Sequence, residues 1–144
     1  MAEVNKEQSV KHMQNFLRNE LAAVETYQNA TNSLKRVESE LTDARLSHQQ
    51  RVDALREHLR GMGEEPASDS GAWGSFANMA QSLANAGGEA AAVSLLEEGE
   101  DRGLADYRKH LDELLPQCRQ LVDAKLLPEQ EKTHRMLSDL KKRL

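Results

Sequence analysis

The chain has a single cysteine, Cys118, which excludes an internal disulfide and is taken as a reduced structural or surface thiol. Aromatic residues make up only 3% of it, isoleucine is absent and valine is scarce, so little favours a sheet. No apolar stretch approaches about 20 residues, so nothing is expected to span a membrane. The first residues, Met-Ala-Glu-Val-Asn-Lys, lack a hydrophobic signal region. A cytoplasmic protein is therefore expected. With a net charge of −5, and no basic run beyond Lys141-Lys142-Arg143, a nucleic-acid partner is not expected. That trio suits the negative end of a helix.

What is abundant is Leu, Ala, Glu, Arg and Gln, a composition that favours helix. A chain of 144 residues is long enough to bury a real core and is most simply one domain, 1–144. Four helical stripes can be traced. Met13, Leu17, Glu20, Val24, Tyr27, Thr31 and Leu34 share one face of the first helix. Leu41, Arg45, His48, Val52, Leu55, Leu59 and Met62 share a face of the second. Val93, Leu96, Glu100, Leu104, Tyr107, Leu111 and Leu114 do so in the third. In the fourth, Val122, Leu126, Leu137, Leu140 and Leu144 form a stripe with Leu127, Glu131 and His134 at its edge.

Breaks divide the chain into a first hairpin over about 5–62, a crossover over 63–88 and a second hairpin over about 89–144. A turn is expected at Thr31-Asn32-Ser33, and Gly61-Met62-Gly63 ends the second helix. Phe76, Met79 and Leu83 suggest a short helix over 75–86, and Trp73 and Phe76 are read as pinning the crossover to the bundle or to a neighbour rather than binding a cofactor. Pro116 turns the third helix into the fourth. Pro128 either kinks the fourth helix or starts it. Residues equidistant from a tight turn share a level, which groups Glu20, Arg45 and His48 in one hairpin and Glu100, Glu131 and His134 in the other. The long crossover allows the second and third helices to run parallel. The fold class expected is all-α: an antiparallel four-helix bundle whose hairpins are a diverged internal repeat.

Both halves carry a Glu followed seven residues later by one of the chain's two tyrosines: Glu20 and Tyr27, then Glu100 and Tyr107. The stretch Asn19-Glu20-Leu-Ala-Ala-Val-Glu-Thr-Tyr27 resembles the first helix of bacterioferritins and related ferritin-like proteins. The run from His48 through Arg51 and Leu55 to Gly61 and Pro66 is similar to their second helix, and Glu131-Lys-Thr-His134 to the Glu-x-x-His of their fourth. Small ferritin-like and rubrerythrin-like bundle proteins are similar overall; shell assembly is not implied.

The resemblance implies metal ligands at Glu20, His48, Glu100, Glu131 and His134, with Tyr27 and Tyr107 bonding to the ligands, and iron or manganese as one or two ions. It fails at one position. Three residues before His48, where a bridging carboxylate belongs, stands Arg45, which cannot coordinate a cation and repels one. Three readings stay open. One is a degenerate site holding a single metal ion. Another is a non-enzymatic structural, interaction or stress-associated bundle, a homo-oligomer among the options, whose core holds an Arg45–Glu ion-pair network and no metal. The third is an active di-iron oxidase or peroxidase. His12, His58 and His110 have no partners at matching levels and are assigned to the surface.

Overall fold

A computed structural model describes residues 4–70, 76 and 79–144. Helix α1, Lys6–Ser33, begins where the Asn5 side chain accepts from the Gln8 amide at 2.7 Å. Leu34 and a 3₁₀ turn, Lys35–Val37, lead into α2, Glu38–Gly61. The turn thus falls slightly later than Thr31-Asn32-Ser33, because α1 continues through all three residues. Gly63, at φ +81°, ends α2. Its amide bonds back to the Arg60 carbonyl at 2.9 Å and the Glu64 amide to Leu59 at 3.0 Å. This is the paired closure that a left-handed residue makes possible.

In the crossover, Gln14 clamps the chain by donating to the Glu65 carbonyl and accepting from the Ala67 amide, both at 2.8 Å. Trp73 lies outside the described residues. A short helix α3, Met79–Ala84, carries Met79 and Leu83 as expected, while Phe76 precedes it and is buried. Helix α4 spans Glu89–Lys109, and a 3₁₀ turn, Leu111–Glu113, joins it to α5, Pro116–Leu121.

From Pro116 to Lys142 the backbone remains helical, with a π-turn at Val122–Leu126 between α5 and α6, Leu127–Lys142. Its cause is legible in the buried positions. Cys118, Val122, Leu126 and Gln130 are spaced by fours. At 100° per residue, twelve residues overrun three turns by about 120°. One extra residue absorbed in a π-turn cuts the drift to about 20° and holds the face inward. Pro128 follows at once, where its missing amide is tolerated. It lies in the first turn of α6, the place where a proline can start a helix, and it does not end the helical run.

Cross-helix pairs fix the topology. Asn19 meets Asp106, Glu20 meets Tyr107, and Tyr27 meets Glu100, so α1 and α4 are antiparallel and α2 runs parallel to α4. The molecule is an all-α four-helix bundle with a long crossover between α2 and α4 and no strand among the described residues. Its core has apolar layers at both ends. One holds Ala23, Leu41, Val93, Leu96 and Leu137; the other holds Met13, Leu17, Val52, Leu55, Leu59 and Leu126. Between them lies a buried polar layer.

Candidate functional site

The polar layer is built on four helices. α1 supplies Glu20 and Tyr27, α2 supplies His48 and Arg51, α4 supplies Glu100 and Tyr107, and α6 supplies Gln130 and Thr133. All eight are buried. Glu20 and His48 are equidistant from Leu34, the true pivot of the first hairpin, which brings them level.

His48 spans the layer. Its Nδ1 is 2.6 Å from Glu20 Oε1 and its Nε2 is 2.6 Å from Glu100 Oε2. Ionised carboxylates only accept, so two such bonds require both ring nitrogens to carry protons. Burial and the nearby Arg51 push the imidazole pKa down, but Glu100 and Glu20 outweigh them and hold it above the usual range. Burial pushes the Glu100 carboxyl up, but His48, Arg51 and Thr133 together hold it below the usual range. Both directions favour the imidazolium–carboxylate form.

Each tyrosine bonds the carboxylate of the opposite hairpin. Tyr27 donates to Glu100 Oε2 at 2.6 Å, and Tyr107 donates to Glu20 Oε2 at 3.0 Å. Burial, reinforced by Glu100 for Tyr27 and by Glu20 for Tyr107, keeps both hydroxyls well above the tyrosine range and therefore protonated. The seven-residue spacing is thus a reciprocal cross-hairpin bond made twice.

Arg51 is fully buried. Its Nε is 3.3 Å from Glu20 Oε2, Nη2 donates to Thr133 Oγ1 at 3.1 Å and Ser47 Oγ at 3.3 Å, and Nη1 donates to Gln130 Oε1. Gln130 Nε2 in turn donates to the Glu100 carbonyl at 2.8 Å and to Glu100 Oε1 at 3.0 Å, and the Thr133 hydroxyl donates to Glu100 Oε1. Burial pushes the Arg51 pKa down, but Glu20, Tyr107, Glu100 and Tyr27 together outweigh it and keep the guanidinium charged. Two carboxylates, one imidazolium and one guanidinium sum to zero charge.

Three side chains expected at this level lie elsewhere. Arg45 is half-buried, outside the cluster, and makes no ion pair among the described residues; the cation in the core comes from six residues later on the same helix. Glu131 and His134 are half-buried, and His134 Nε2 approaches Asp101 at 3.6 Å. The physical reason is register. Steps of four, three and four from Leu126 to Leu137 land on Gln130 and Thr133, one residue before the expected pair. The crossover adds a lid: Phe76 lies over His48 and Tyr27, with ring centroids 5.7 and 5.8 Å away. Beside Glu20 and Tyr107 is a cavity of about 10 Å³, room for one water.

A second polar group sits at the end of the bundle where α1 begins and α4 ends. His12 and His110 stack with centroids 4.2 Å apart, and Glu113 Oε2 is 2.9 Å from His12 Nε2 and 2.7 Å from His110 Nδ1. Burial and the neighbouring His110 hold His12 below the usual imidazole range despite Glu113. These histidines do have partners, contrary to the surface assignment. His58 contacts the buried Cys118 at 3.4 Å, where burial pushes the imidazole pKa down and the thiol pKa up.

No curated protein and no solved structure matches the chain. One family model does match, over residues 8–113, a span holding Glu20, His48, Arg51, Glu100 and both tyrosines. On that match the chain belongs to the family described as a domain of unknown function, DUF2383.

Proposed function

We propose that this chain is a ferritin-like bundle whose core has exchanged metal ions for a buried, charge-neutral Glu–His–Arg network, and that it works as a non-enzymatic structural or interaction protein. The observation that carries the proposal is Arg51, fully buried with its guanidinium shared among Glu20, Gln130, Ser47 and Thr133. A ligating histidine must offer a lone pair, and ligating carboxylates must offer free oxygens. Here His48 uses both nitrogens, Glu100 accepts from four donors and Glu20 from three. The residues present therefore do not fit a two-metal centre, and a guanidinium among them adds repulsion. Among the described residues, the cavity beside Glu20 holds about one water, which is no room for a substrate.

The test is metal analysis of protein purified without chelators and then loaded with Fe(II) or Mn(II). It is run on wild type and on His110→Ala, so that the histidine pair at the bundle end is not mistaken for the core. The expected result is no stoichiometric iron or manganese in His110→Ala and no Fe(II) oxidation above buffer. A full equivalent in His110→Ala that disappears in Glu100→Gln would overturn the proposal and favour a single core metal. Sedimentation across concentration tests the self-association version, which a clean monomer removes.

A further inference from the structure

We infer that His12, His110 and Glu113 form a divalent-metal site at the end of the bundle, separate from the core network and selective for borderline first-row cations such as Zn²⁺ or Ni²⁺. They come from two places far apart in the chain: His12 from the first turns of α1, and His110 and Glu113, three residues apart, from the two ends of the 3₁₀ turn that follows α4. Two tethers hold them together. The Glu113 amide bonds the His110 carbonyl at 3.0 Å, which sets the two ligands on one side of the turn. The Leu115 amide donates to Ser9 Oγ at 2.8 Å, fastening the same turn to α1 three residues before His12. Phe16 lines the inner side, its ring 6.3 Å from that of His110.

One ligand atom from each residue lies within 4.8 Å of the other two. His12 Nε2 is buried and makes no hydrogen bond of acceptable geometry, although Glu113 Oε2 is only 2.9 Å away. An orphaned buried nitrogen calls for a partner that direct contacts do not supply. A tetrahedral cation bound at about 2.1 Å by nitrogen and oxygen spaces its ligand atoms about 3.4 Å apart. The Glu113 oxygen, at 2.7 and 2.9 Å from the two nitrogens, is too close for that now. Its side chain is 45% exposed and free to swing outward by the half-ångström required.

Two imidazoles and one carboxylate suit borderline divalent ions better than Ca²⁺ or Mg²⁺, which prefer all-oxygen shells. Three protein ligands leave a further position for water. The side chains of His12 and His110 are 13% and 27% exposed, buried enough to be held and open enough for an ion to enter. The core histidine differs on each point: both its nitrogens are engaged and no solvent reaches it.

The test is calorimetric titration of the metal-stripped full chain with ZnCl₂, and separately NiCl₂, in a non-coordinating buffer. One equivalent is expected in wild type, with Zn²⁺-dependent shifts of the His12 and His110 imidazole resonances. His110→Ala and Glu113→Gln should each weaken binding at least about tenfold, since even an outer-shell partner is worth that much. His134→Ala should leave binding unchanged. Glu113→Gln alters a half-exposed side chain, so it still reports should His110→Ala lose its fold. Absence of binding in wild type, or stoichiometric binding that survives both substitutions undiminished, overturns the site.

Discussion

Replacing Arg51 by Met keeps an unbranched, largely apolar stem and removes the charged guanidinium. Arg51 is fully buried, and the four ionised groups of the layer sum to zero. Without the guanidinium the layer carries one net negative charge, Glu20 loses its cation at 3.3 Å, and Gln130 Oε1 loses its donor. Breaking a buried pair by deleting one member typically costs about 3–5 kcal/mol. For a chain of this size, that is a fall of roughly 10 °C in Tm. In urea it is a drop of roughly 2 M in the midpoint. The assay is urea unfolding followed by far-UV circular dichroism. Arg51→Met/Glu20→Gln should recover a large part of the loss, because it removes the stranded charge together with its partner. Arg45→Met should change stability by under about 0.5 kcal/mol, as for a half-exposed side chain with no ion pair among the described residues. If Arg51→Met cost less than about 1 kcal/mol, or the double variant were no more stable than the single one, the neutral-network account would be wrong.

Stability should also depend on pH in two limbs. Glu100 is held below its ordinary 4.5, so its contribution is full above 4.5 and is lost as pH falls through the lower folded value. His48 is held above its ordinary 6.5, so its contribution is full below 6.5 and is lost as pH rises through the higher folded value. The urea midpoint of wild type should decline on the alkaline side, and His48→Gln should flatten that limb; a limb that survives His48→Gln belongs to another group. Gly103→Ala gains about 1 kcal/mol of helix propensity. Its new Cβ would lie 2.5 Å from Gln130 Nε2, however, and would push that amide off Glu100 and Arg51. A net loss of about 1–2 kcal/mol is expected in the same unfolding assay, and a net gain would show that the Gln130 bonds matter little. Arg45→Glu should leave iron uptake at the wild-type level, and an added equivalent would mean that Arg45 guards the core after all.

Much of the fold could be read in the chain because it depends on local periodicity. The stripes, the Gly63 closure and the Glu-to-Tyr spacings locate the hairpins, and Glu20, His48 and Glu100 meet in the structure. Arg51 lies in the run likened to a second helix, but its place in the core is not legible in the chain for a physical reason. It stands three residues after His48 and four before Leu55, on the inward face, but an arginine is assigned to solvent unless its carboxylate partners are known. On α6, the likeness to a Glu-x-x-His pattern drew attention to Glu131 and His134, whereas stepping between Leu126 and Leu137 leads to Gln130 and Thr133. The pairing of His12 with His110 has no local signature. It depends on how α1 lies against α4, and equidistance from a turn relates only helices joined by that turn.

The distribution of core charge has a consequence for assembly. The first hairpin brings Glu20, His48 and Arg51, an excess of one positive charge; the second brings Glu100, an excess of one negative charge. Two copies of the first hairpin placed face to face would bury two unmatched cations, and two copies of the second would bury two unmatched anions. Only unlike halves neutralise each other. Hairpins of opposite core charge are thereby discouraged from pairing with their own kind on a neighbouring chain and favoured to pair with each other.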